Sequence, residues 1–202
     1  MKNLAPVLSL LLLPFAGCDD VENHDHDHDH EVITTVQLSF APSDGGTVLG
    51  FVWADPELDG DPVVDDIVLP EATVYDLSVS FWNEQEEPAE DLTAEISDEG
   101  SEHQVFFTGS GVQSPSTGVN GDAVVEQAYA DLDAGGLPVG LENTITTLTA
   151  GTGEMMVTLR HLPPVEDQDV KVADLADAVA TGGVAAIGGG TDVEVMFNIE
   201  VQ

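Results

Sequence analysis

The sequence predicts an all-β fold, an immunoglobulin-like antiparallel β-sandwich with one or two short helices. Apolar and polar residues alternate along several short runs, which is the pattern of half-buried strands. Clusters of Gly, Pro, Asn and Asp separate these runs and indicate turns. Strands do not alternate with helices as a parallel sheet would require. With 202 residues, the chain is long enough for one domain with a buried core.

The predicted strands follow one another from residue 32 to the C terminus. The last run is the clearest, because Val193, Val195, Phe197, Ile199 and Val201 point one way while Asp192 and Glu194 are expected to point the other. In chain order, the predicted strands lie at 32–40, 49–53, 67–69, 75–81, 105–107, 124–130, 143–148, 155–159 and 193–201. Residues 88–100 and 171–183 have helical composition, and glycines end both segments.

The segment before the first strand predicts export and lipidation. Residues 1–17 combine a basic start with a short apolar run, as a signal peptide does. The sequence Phe15-Ala16-Gly17-Cys18 resembles a lipobox and predicts cleavage before Cys18, with lipid attached to it. An ordinary secretory signal with an incidental cysteine is the alternative. We therefore expect a signal peptide at 1–17, a lipidated and disordered acidic tether at 18–31, and a β-sandwich domain at 32–202.

The charge of the chain restricts its partners. The formal net charge is −36, from 39 acidic and only three basic residues. Such a surface repels nucleic acid and anionic lipid, so we expect no nucleic-acid partner and membrane contact only through the lipid anchor. It attracts cations, although solubility in a salty environment would also explain the charge.

The tether carries four histidines that alternate with carboxylates. Neutral imidazole is a good ligand for Zn²⁺ or Cu²⁺, and neighbouring Asp side chains raise the local cation concentration. The predicted metal ligands of the tether are His24, His26, His28 and His30. A hydrophilic spacer without a metal function is the alternative.

Two further histidines fall within predicted strands. His103 shares the parity of Val105 and Phe107, and His161 ends the inward row of the run at 155–159. Both are expected at the rim of the core, where a structural hydrogen bond is the usual role of a histidine. If their strands are neighbours, they form one metal site, to which Glu102 or Asp98 would contribute.

Two acidic loops have spacing that resembles calcium-binding loops. Ca²⁺ prefers six to eight oxygen ligands at such spacing, and a sixth-position Gly allows the sharp turn. The possible calcium ligands are Asp55, Glu57, Asp59 and Asp66 in the first loop, and Asp131, Asp133 and Glu142 in the second. Hairpin turns rich in Asp and Gly are the alternative.

The motifs of common catalytic sites are absent from the sequence. There is no Gly-x-Ser-x-Gly, no His-Glu-x-x-His and no phosphate-binding glycine loop with its lysine. We therefore expect a protein that is not an enzyme.

Several phrases occur in an order that resembles small secreted lipoproteins of Bacteroidota. They include "EVITTVQLSFAP", "DLDAGGLPVGLENTITT" and "VTLRHLPP", and the likeness covers most of residues 31–202. The resemblance implies a lipid-anchored protein of the cell envelope, at the outer membrane, that accompanies a TonB-dependent receptor. It also implies His103 and His161 as motif positions. Such proteins are sometimes labelled as having a type 1 periplasmic binding fold, an α/β label with which the strand alternation here disagrees.

Together these observations predict a lipid-anchored accessory protein that binds divalent metal ions near an outer-membrane transporter. The alternative is a non-catalytic structural or protein-interaction β-sandwich whose acidic loops bind calcium.

Overall fold

The structure, a computed structural model, describes residues 31–166 and 168–202. Within these ranges the chain is mainly strand, which confirms the predicted all-β class. The strands are β1 (Thr35–Pro42), β2 (Leu49–Ala54), β3 (Val63–Val64), β4 (Ile67–Leu69), β5 (Val74–Asn83), β6 (Glu90–Asp91), β7 (His103–Thr108), β8 (Val112–Gln113), β9 (Val125–Tyr129), β10 (Glu142–Thr147), β11 (Gly151–His161) and β12 (Gly190–Val201). The helices are α1 (Thr93–Asp98), α2 (Leu175–Gly182) and a 3₁₀ turn at Val184–Ala186.

The strands form two sheets. The first has the order β3-β2-β1-β5-β10-β9-β8, with β6 paired to β5, and the second has the order β4-β12-β11-β7. Neighbouring strands are antiparallel except for the short β4 beside β12 and β8 beside β9, which are parallel. This arrangement confirms the predicted sandwich as two mainly antiparallel sheets.

The core lies between the two sheets and is built from the inward parity of each strand. Alternation along β1, β5 and β12 gives each strand one buried row. The side chains of these three rows that are buried in the common core are Val36, Leu38, Phe40, Tyr75, Leu77, Val79, Phe81, Val193, Val195, Phe197, Ile199 and Val201. The sequence periodicity therefore identified the core face of these strands correctly. Removal of these aromatic and branched side chains from water is the main stabilising contribution to the fold.

The two helices fall within the predicted helical segments, with one shift. The segment beginning at Pro88 does not start as a helix, because Glu90–Asp91 pairs with the end of β5 as β6. Helix α1 consequently begins at Thr93. Helix α2 covers the outer face of the second sheet, where Leu175 and Val179 pack with Phe106 and Leu162.

No helix in the described part of the chain is long and apolar enough to cross a bilayer. The predicted signal peptide, Cys18 and the four tether histidines lie outside the described residues.

Candidate metal centre

Two strand-borne histidines meet at one end of the second sheet. His103 is the first residue of β7 and His161 is the last residue of β11, and the antiparallel register pairs them directly. Their rings stack with centroids 4.7 Å apart and an interplanar angle of 13°. Both side chains continue the inward rows that bury Val105 and Leu159, so they lie at the rim of the core. The structure therefore brings together the two histidines that sequence parity had placed at the core rim.

Asp192 joins them through a break in strand register. Leu159 pairs with Val193, but Arg160 pairs with Thr191, so β12 contains one extra residue at Asp192. A β-bulge of this kind locally reorients a side chain. The Asp192 carboxylate is fully buried, with Oδ2 3.8 Å from His103 Nε2. The prediction that Asp192 points outward with Glu194 is wrong for this reason.

Glu31 supplies a second carboxylate from the residue that the sequence had assigned to the end of the tether. Its Oε1 lies 3.2 Å from His103 Nε2, and its side chain is only 11% exposed. The chain just after it is fixed in the domain, because Ile33 is buried and the Thr34 N–H donates to the Trp82 carbonyl over 2.9 Å. The structure thus includes Glu31 in the folded body, one residue earlier than the predicted boundary at 32.

These four residues form a compact group of potential ligands. One ligand atom from each of Glu31, His103, His161 and Asp192 lies within 4.8 Å of all the others. In residues 31–166 and 168–202, no other group of three or more His, Cys, Asp or Glu side chains meets this geometry. Two imidazole nitrogens with two carboxylate oxygens suit a tetrahedral divalent ion such as Zn²⁺. The two carboxylate charges would balance the charge of the ion, which suits a buried site.

The hydrogen bonding of His103 prepares it as a ligand. Its Nδ1 lies 3.3 Å from the Glu99 carbonyl, and donation of Nδ1–H there leaves the lone pair on Nε2, beside the carboxylates. Within the described residues, neither His103 Nε2 nor Glu31 Oε2 makes a hydrogen bond of good geometry, although both atoms are buried. In that tautomer His103 Nε2 and the Glu31 carboxylate, 3.2 Å apart, both offer lone pairs, so a cation or a proton between them is needed to satisfy them.

The surroundings of the pair favour a protonated His103 beside an ionised Glu31. Burial by itself would lower the pKa of His103, but Glu31, Asp192 and the Glu99 carbonyl together raise that pKa above its ordinary value. Burial would likewise raise the pKa of Glu31, but His103, whose Nε2 lies 3.2 Å from Glu31 Oε1, lowers that pKa below its ordinary value. A proton on His103 thus makes an interaction that a metal cation would replace.

The chain segment before Asp192 is held by a buried arginine. Arg160 Nη2 donates to the carbonyls of Gly188 and Gly189 over 2.7 and 2.8 Å, and Nη1 donates to Thr191 Oγ1 over 2.5 Å. Burial lowers the pKa of Arg160, while Asp192 and Glu194 oppose that shift. Because Arg160 binds residues 188, 189 and 191, it holds the segment that leads directly into Asp192.

Glu102 lies at the solvent side of the group. Its Oε2 is 3.8 Å from His161 Nε2, and its side chain is 32% exposed. Glu102 and Asp98 were the predicted companions of the two histidines. The structure places Glu102 at the periphery of the group, and neither residue is one of its four members.

The predicted calcium loops use several of their carboxylates to hold their own backbone. Asp55 accepts from the N–H groups of Asp59 and Gly60, and Asp131 accepts from those of Gly140, Leu141 and Glu142. Four other candidates also bind protein groups. Asp59 accepts from the Asp61 N–H, and Asp66 accepts from the Asn198 side chain. Asp133 pairs with Lys171, and Glu142 accepts from the Ser78 hydroxyl. Within the described residues, the predicted calcium ligands, Glu57 included, do not gather three or more carboxylates around a common point. Calcium binding there stays a prediction.

No protein family, curated protein or solved structure matches the chain. A function for the histidine–carboxylate group must therefore be argued from its own geometry and chemistry.

The sequence did not indicate Glu31 and Asp192 as members of this group. Glu31 did not stand out because it ends a run of similar charged residues. Asp192 was assigned to the outward face because strict alternation along the strand was assumed. A bulge has no reliable signal in a single sequence, so only the three-dimensional register could identify Asp192.

Proposed function

We propose that this protein binds a divalent transition-metal ion, Zn²⁺ or Cu²⁺, through Glu31, His103, His161 and Asp192. The observation that carries the proposal is the approach of their four ligand atoms to within 4.8 Å of one another in a largely buried position. The burial of Glu31 and Asp192 beside His103 Nε2 supports it, because carboxylates removed from water next to an imidazole need a cation or a proton to balance their charge.

The proposed biological setting is that of a lipid-anchored accessory protein of the cell envelope. The lipobox-like end of the leader supports anchoring through Cys18, and the resemblance to Bacteroidota lipoproteins supports a partner among TonB-dependent outer-membrane receptors. The tether histidines would gather ions from solvent, and the four-residue group would hold one of them. The tether ends at residue 30, directly before the ligand Glu31, so its histidines are close in sequence to the site.

Calorimetric titration of the chain with Zn²⁺ and Cu²⁺ tests the metal function, and two sets of variants separate the tether from the body. In the tether variant, His24, His26, His28 and His30 are all replaced by Asn. We expect it to retain one tight site per chain and to lose only weaker binding.

In that background, Asp192→Asn is compared with Glu194→Gln, which removes the same charge two residues along the same strand. Asp192→Asn should weaken binding by roughly 10–100-fold or more, and Glu194→Gln should have little effect. Absence of a tight site from the tether variant, or equal effects of the two substitutions, would refute the proposal.

A further inference from the structure

The five polar groups at the site differ sharply in their access to solvent. The side chains of His103 and Asp192 are fully buried, and those of His161 and Glu31 are 7% and 11% exposed. Glu102, at 32%, is the most exposed of these groups. An ion in water therefore meets the Glu102 carboxylate more readily than it meets the four inner ligands.

Glu102 is also well placed to pass an ion inward. Its backbone is fixed beside the site, because its carbonyl accepts from the Leu162 N–H over 2.6 Å and its neighbour is His103. Its carboxylate Oε2 lies 3.8 Å from His161 Nε2, while His161 also belongs to the inner group. His161 thus links the outer carboxylate to the inner ligands.

On the premise that the proposed metal function holds, we propose that Glu102 is the exchange ligand of the site. An incoming aqua ion first replaces water by the Glu102 carboxylate and His161. The carboxylate is then displaced by His103, Glu31 and Asp192 as the ion moves inward. A proton on His103 Nε2 passes to solvent water as the ion binds there, and release follows the same steps in reverse, with a proton taken back from water.

This role makes the site one from which an ion can be taken up and given away. A closed site without such a group has to open its buried side chains before the ion can leave. The class of acceptor that fits is a protein or small chelator with nitrogen or carboxylate ligands that can reach the Glu102 side of the site.

Exchange kinetics test the role of Glu102. In the tether variant, stopped-flow mixing with Zn²⁺ measures the association rate, and mixing of the Zn²⁺-loaded chain with a chromophoric chelator measures the dissociation rate. Glu102→Gln is compared with Asp98→Asn, which removes one exposed charge from the end of α1 nearby in the chain. A metal competition assay gives Kd for each variant, and the folded state is checked by circular dichroism.

We expect Glu102→Gln to slow both association and dissociation by roughly tenfold while Kd changes less than about threefold. Asp98→Asn should change either rate by less than about twofold, as expected for general attraction of cations. Unchanged rates in a chain that still binds Zn²⁺ tightly would overturn the exchange role alone. Faster dissociation with a weaker Kd would also overturn it, because Glu102 would then be an ordinary ligand. Failure of the parent chain to bind Zn²⁺ would instead overturn the proposed function itself.

Discussion

Substitution of Gly189 by Ala should weaken metal binding through the backbone, without changing a ligand. Gly189 has a φ of +79°, and a Cβ atom there would lie 2.0 Å from the His161 carbonyl oxygen. Such contacts are essentially never shorter than 3.0 Å, so the two backbone segments must separate by about 1 Å or more. One segment carries His161 and the other leads to Asp192, whereas metal–ligand distances tolerate only about 0.2 Å. We therefore expect a loss of at least tenfold in Zn²⁺ affinity, the range seen when ligand positioning fails.

Gly45 provides the matched control for this substitution. Its φ is +90°, and a Cβ atom there would meet nothing within 4 Å. It lies in the turn after β1, whereas Glu31 precedes the start of that strand. Both substitutions carry the left-handed backbone cost of about 1–2 kcal/mol, but only Gly189→Ala adds the collision.

The assay for these two variants combines chemical denaturation, which gives the free energy of unfolding, with competition titration, which gives Zn²⁺ affinity. Gly45→Ala should lose stability and keep wild-type affinity. Equal affinities for the two variants, with both folded, would refute the claim that the contact between residues 161 and 189 sets the ligand positions.

Three further predictions concern the two buried basic residues and Asp133, the carboxylate that pairs with Lys171. Arg160→Lys keeps the charge, but a lysine has no planar group with which to bind two carbonyls and a hydroxyl at once. The Zn²⁺ affinity measured by competition should therefore fall roughly 10–100-fold, and unchanged affinity would contradict the positioning role of Arg160. Lys171 Nζ lies 2.8 Å from Asp133 Oδ2 and donates to the Gly100 carbonyl, so Lys171→Met should lower the free energy of unfolding by about 3 kcal/mol in chemical denaturation. Burial alone would raise the pKa of Asp133, but Lys171 and two backbone N–H groups lower that pKa. The stability difference between wild type and Asp133→Asn should therefore be complete above about pH 4 and should shrink as the pH falls through the lowered pKa; a difference that does not change as the pH is lowered from about 4 would contradict this.

Much of the fold could be predicted because burial on one face imposes a period of two on the sequence. The run from Tyr75 to Phe81 and the run from Val193 to Val201 each give one buried row, and both sequence patterns identified that row correctly. The order of strands within the sheets could not be predicted, since alternation defines which face of a strand is buried and contains no information about its neighbours. The pairing of the short β4 beside β12 in parallel is of this kind.

The candidate site was partly predictable for the same reason. His103 and His161 continue inward rows, so parity alone placed both at the core rim. Their adjacency depended on β7 pairing with β11 and therefore needed the structure. The sequence also suggested Glu102 and Asp98 as companions, and the structure keeps only Glu102 nearby, on the exposed side.

The two carboxylates of the site show why composition is a poor guide in a chain this acidic. Among 39 acidic residues, a carboxylate is close to almost any position in sequence, so proximity distinguishes none of them. Among the acidic residues that the structure describes, Glu31 and Asp192 are removed from water beside an imidazole, which is costly unless a positive charge accompanies them. One reaches this environment through a bulge and the other through the first residues of the folded body. Because both conditions are three-dimensional, burial next to a histidine, and not the abundance of acidic residues, identifies where a cation would bind in this protein.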